Sequence, residues 1–124
     1  MKEKINEYLK QNKTTEFKDL LFSFIDEKQL TDSEVYKKAG IDRKIFSKIR
    51  CINHYIPKKD NIIKLCLSLS LDIAESKELL SSAGYQFSTN NNFDLIICYF
   101  IENRIYDFDL INNYLYAYTN TILN

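Results

Sequence analysis

Apolar residues along this chain recur every three or four positions and form no convincing two-residue alternation. Phe17, Leu20, Leu21, Phe24 and Ile25 stand at i, i+3, i+4, i+7 and i+8, the spacing of one buried helical stripe. Thr14 or Thr15 is placed to cap that helix, and a charged segment over 2–11, with Ile5 and Leu9 four apart, predicts a shorter helix before it. Thr31-Asp32-Ser33-Glu34 sets a Thr three residues ahead of a Glu, the capping box of a short helix that Gly40 ends. Asp42 caps the next helix. Its inward stripe is Ile45, Phe46 and Ile49, which leaves Arg43, Lys44, Ser47 and Lys48 facing out.

A loop over 51–57 breaks at Pro57, and a helix starting at Lys58 or Asp60 follows. Ile62, Ile63, Leu65, Cys66, Leu67, Leu69 and Leu71 are apolar nearly all round, which predicts a central helix covered on several sides. Leu79, Leu80 and Ala83 give a short helix ended by Gly84. Asn90-Asn91-Asn92 caps a further helix whose apolar residues are Phe93, Leu95, Ile96, Ile97, Tyr99, Phe100 and Ile101, and a last one runs from about 107 to 118. Tyr114, Tyr116 and Tyr118 alternate, but Leu110, Ile111, Tyr114, Leu115 and Tyr118 fit a helical stripe better. The expectation is an all-α fold whose core contains Phe24, Val35, Ala39, Ile45, Phe46, Ile49, Leu65 and Leu69.

Composition narrows this further. A length of 124 residues is the size of one domain. Two Gly and one Pro are too few for the turns of a β-sandwich or barrel. No apolar run approaches the roughly 18 residues of a membrane span, and Met1-Lys2-Glu3-Lys4 does not lead into a signal-peptide core; a cytoplasmic protein is expected. Cys51, Cys66 and Cys98 are an odd number without a CxxC, so neither a disulfide framework nor a metal site is expected. Cys66 and Cys98 lie in apolar runs and read as buried hydrophobes. The only His is His54, and there is no Gly-rich phosphate loop, nucleophile elbow or metal-spaced carboxylate pair. Neither enzymatic activity nor a cofactor is expected.

Charge changes the picture once it is divided along the chain. The total is 17 basic against 17 acidic side chains. Residues 1–30 are balanced, residues 31–60 carry a net +4, and residues 61–124 carry a net −4. A local basic field exists without a net one.

That window holds a capped short helix, a turn at Ala39-Gly40-Ile41 and a second capped helix with a basic outer face, which together read as a helix-turn-helix. Small Ala39 lets the helices cross closely, Gly40 makes the turn, and Ile41 fills the space beneath it. The run from Thr31 to Arg50 resembles the core of the lambda-repressor-like (Cro/cI, or XRE-type) family, and Pro57, Leu65, Leu69, Leu71 and Leu79 to Tyr85 continue that family's five-helix pattern. The resemblance covers roughly residues 15–85. It implies a five-helix lambda-repressor-like core that binds duplex DNA, usually as a dimer. It places Arg43, Lys44 and Lys48 at recognition-helix positions facing base edges, where Arg pairs bidentately with guanine and Lys contacts guanine or phosphate. Ser47, Arg50, Lys58 and Lys59 would touch the backbone. Asp32 stands where the family commonly has a phosphate-contacting Gln, Tyr36 where it has a small residue, and the loop Ile52 to Ile56 is unusually apolar.

Residues 86–124 add two C-terminal helices, expected to pack on the same core as residues 1–85. They hold nine of the chain's 17 aromatic residues, more than a core needs. Tyrosine gives large contact area at low entropic cost, so Tyr99, Tyr106, Tyr114, Tyr116 and Tyr118 are expected to form a homodimer or partner surface within 93–118. Two readings stand: a DNA-binding regulator acting as a dimer, or a protein-binding helix-turn-helix module, such as an adaptor or inhibitor from a mobile element or defence locus.

Overall fold

The computed structural model describes residues 1–124 and is helical throughout, without a strand. Its eight helices are α1 (Lys2–Asn12), α2 (Phe17–Glu27), α3 (Asp32–Ala39), α4 (Arg43–Cys51), α5 (Lys59–Ser68), α6 (Ile73–Ser82), α7 (Asn92–Glu102) and α8 (Phe108–Thr119). The all-α expectation holds.

Capping chemistry sets most of the helix ends. Thr31 Oγ1 accepts from the Glu34 backbone N–H while the Glu34 carboxylate accepts from the Thr31 backbone N–H, closing the expected box. Gly40 sits at φ +68, a left-handed conformation that glycine adopts at little steric cost, and α3 stops there. Asp42, Asn91 and Asp107 cap α4, α7 and α8 through their side chains. Two ends differ from expectation. Helix α2 begins at Phe17 behind an extended Glu16, with no side-chain cap, so Thr14 and Thr15 lie outside it. Helix α6 begins at Ile73, well before Leu79, because Asp72 and Glu75 form a second capping box.

One hydrophobic cluster runs through the molecule from Phe17 to Leu123. Its axis is α5, where every residue from Ile62 to Ser68 is buried, as the nearly all-round apolar pattern requires. Helices α3 and α6 pack against α5, and Ser68 Oγ donates to the Val35 carbonyl at 2.8 Å to tie α5 to α3. Lys64 is covered along its stem within this helix, and burial lowers its pKa while Asp60 opposes the shift. Ile97, Phe100, Ile101, Ile111 and Leu115 carry α7 and α8 into the same core. Of the expected core residues, Ile45 alone is half-buried; the other seven are buried. Helix α1 stands apart, with none of its residues buried.

Candidate nucleic-acid interface

Helices α3 and α4 are joined by a short turn, and α4 is anchored by one apolar edge. Phe46 and Ile49 are buried, and the Phe46 ring meets Phe22 edge-on at 5.9 Å and Tyr36 at 5.5 Å. Tyr36 is therefore a packing partner of α4, where a smaller side chain would leave a gap. With that edge held, the opposite one faces solvent. Arg43, Lys44, Ser47 and Lys48 are all exposed, and none of the three cations has a carboxylate within ion-pair distance.

Arg50 is placed differently. Its Nε donates to Asp32 Oδ2 at 2.6 Å and a terminal nitrogen donates to Oδ1 at 2.8 Å, a bidentate pair. Its guanidinium lies over the Phe22 ring, 3.9 Å from the centroid. The hydrogen bond to Asp32 raises the Arg50 pKa further above its usual value, against the opposing effect of burial. This clamp joins the last turn of α4 to the first turn of α3 and to α2, and so fixes how α4 is presented. It also neutralises Asp32, the acid expected to face a phosphate.

Lys58 and Lys59 also part company. Lys58 is the exposed residue preceding α5, without an ionic partner. Lys59 Nζ donates to the buried Asp94 Oδ2 at 2.6 Å. The same oxygen accepts from the Ser88 backbone N–H at 2.6 Å. Lys59 thus fastens the C-terminal helices to the start of α5. In the intervening loop, His54 takes a left-handed conformation at φ +62, 3.5 Å from Glu16, while Ile52 and Ile56 are exposed.

The tyrosines expected at an interface fall into three groups. Tyr99, Tyr114 and Tyr118 line an open groove of about 720 Å³ between α7 and α8, together with Leu95, Ile96, Phe100, Ile105 and Leu110. Tyr116 is exposed in a separate depression beside Lys59, Asp94 and Ile122. Tyr106 turns inward and donates its hydroxyl to the Leu71 carbonyl at 2.8 Å. Burial raises its pKa. No group of three or more metal-binding side chains is assembled anywhere, and no helix is long and apolar enough to cross a membrane.

Sequence spacing alone did not reveal the Arg50–Asp32 and Lys59–Asp94 pairs, whose partners are 18 and 35 positions apart. The 3.6-residue period of α4 was the signal that did locate the exposed cations. No protein-family model matches the chain, and neither a curated protein nor a solved structure matches it.

Proposed function

We propose that this chain is a small helix-turn-helix protein of the lambda-repressor-like kind that binds duplex DNA and acts in transcription regulation. The observation that carries the reading is the outer edge of α4, where Arg43, Lys44 and Lys48 are exposed and unpaired on a helix whose other edge is locked into the core. An α-helix fits the major groove, and a cation on its exposed edge reaches guanine O6 and N7 or the flanking phosphates. Ser47 and Lys58 supply backbone contacts alongside. Arg50 serves first as a clamp that presents α4.

The test is fluorescence anisotropy on duplex DNA with a salt titration. Wild-type protein at about 50 mM salt binds non-specifically at micromolar concentration or tighter, and log K falls linearly with log salt. Arg43→Ala costs about 1–3 kcal/mol on a specific site and relaxes the preference at one base pair. Lys58→Ala weakens all sequences alike and lowers the salt slope by about 0.9. Asp32→Gln breaks the clamp that presents α4, so it weakens binding to a specific site more than non-specific binding. Absence of binding at tens of micromolar protein overturns the reading. It would favour the protein-binding alternative, for which the observation is the open apolar groove between α7 and α8.

A further inference from the structure

Two apolar surfaces of this molecule lack a partner, and they match. The first is α1, whose eleven residues are all exposed. Ile5, Tyr8 and Leu9 lie at i, i+3 and i+4 on one face, each more than half exposed. An isolated helix of this length is marginal in water, so α1 needs a surface to cover that face. The second is the groove between α7 and α8, with Leu95, Tyr99, Leu110 and Tyr114 exposed along it. Helices of 11 and 12 residues frame the groove, about 16–18 Å long, against about 16 Å for α1.

Charge supports the match and sets its direction. Lys10 and the C-cap Lys13 leave the C-terminal end of α1 with a net positive charge, whereas Lys2 and Lys4 are balanced by Glu3 and Glu7 in its first two turns. The α7–α8 connection has the opposite balance, with exposed Glu102, Asp107 and Asp109 against Arg104. We infer that α1 of one copy lies in the α7–α8 groove of a second copy and that the second returns its own α1, closing a two-fold dimer. In this dimer, α1 runs parallel to α7, with Lys10 and Lys13 at the acidic connection. Reciprocal exchange also closes the assembly, where a one-way contact would propagate into a chain of molecules. The inference does not depend on DNA binding, and its test contains no nucleic acid.

Sedimentation equilibrium of the full chain tests it. Leu9→Asp breaks the α1 face and Leu110→Asp the groove. Both positions are already exposed, so each variant is expected to keep the cooperative unfolding of α2–α8 and to lose only the helicity and stability that docking gives α1. Wild type is expected to dimerise in the micromolar range, and each variant to raise Kd at least tenfold. An equimolar mixture of the two variants is expected to recover association. The groove of the Leu9→Asp chain is intact and receives the intact α1 of the Leu110→Asp chain. Contacts of groove with groove, or of α1 with α1, allow no such recovery. Lys10→Glu is expected to weaken the dimer, and adding Glu102→Lys to restore it, as the parallel orientation requires. A monomeric wild type, a dimer indifferent to Leu9→Asp, or a mixture that stays monomeric overturns the inference. Failure of the charge reversal to restore the dimer overturns its orientation.

Discussion

The three cysteines occupy three different environments, and the chemistry of each follows from its burial. Cys51 is exposed at the end of α4, Cys66 is wholly buried in α5 as expected, and Cys98, also expected to be buried, is only half-buried. Only the thiolate is nucleophilic, and burial disfavours that charge. Desolvation raises the Cys98 pKa and pushes the Cys66 thiol up to about 12. A disulfide reagent at pH 8 is expected to modify Cys51 at once, Cys98 more slowly and Cys66 only as fast as the protein unfolds globally. Prompt labelling of Cys66 would contradict its placement. The same shift fixes a pH dependence. The unfolded thiol ionises near its ordinary value of 9.0 and the folded one only near 12, so folding retains a proton across that window. The Cys66 contribution is complete below about pH 9 and is lost as pH rises from there towards 12, by linkage. Cys66→Ala is expected to flatten this part of the alkaline stability profile, as urea midpoints measured from pH 8 to 11 would show.

At the scale of the element, α4 is decided by two opposite edges. Its N-cap Asp42 and its inward residues are local features, and they were legible because capping and the 3.6-residue period act over one or two turns. Ile45, the residue expected to be buried but found half-buried, lies at the margin of the stripe, where the period assigns an edge but not its width. The aromatic group of Phe22, Tyr36 and Phe46 fastens α4 to α2 and α3. Phe46→Ala is expected to cost about 3–5 kcal/mol, because it removes the ring that Phe22 and Tyr36 both meet and leaves a cavity behind. Urea denaturation measures it directly; an unchanged midpoint would show that α4 is not held this way. The apolar pattern marks only the second half of α6, because its opening, Asp72-Ile73-Ala74-Glu75, precedes its strongest apolar pair, Leu79-Leu80, by a full turn.

For the whole molecule, the question is whether residues 86–124 are an appendage or part of the core. Ile97, Phe100, Ile111 and Leu115 join the hydrophobic cluster of the other helices. Tyr106 bonds to Leu71, and Asp94 receives Lys59. A single cooperative unfolding transition follows from that shared core. Asp94→Ala leaves the Lys59 ammonium and the Ser88 N–H without their acceptor. The Lys59 side chain stays 29% exposed, so the loss is smaller than for a fully buried pair, about 2–3 kcal/mol. Calorimetry is expected to show one transition, displaced downwards by roughly 10 °C in the variant. Two resolved transitions in the wild type would separate the C-terminal helices from the rest.

The amino-acid order by itself determined the helical class, most helix ends, the buried character of α5 and the outward edge of α4. These depend on hydrogen bonds and side-chain periods within a few residues, and neighbours in sequence carry them. Only the tertiary structure decided which cations are free. Arg50 and Lys59 read from sequence like Lys48 and Lys58, yet folding brings each to an acid 18 or 35 positions away. It also decided the fate of the aromatic rings, turning Tyr106 inward while leaving Tyr99 and Tyr114 on an open groove. Finally, it left α1, amphipathic like its neighbours, without a surface of its own chain to cover it. Whether an apolar face is buried depends on what the rest of the chain brings against it, and periodicity carries no record of that.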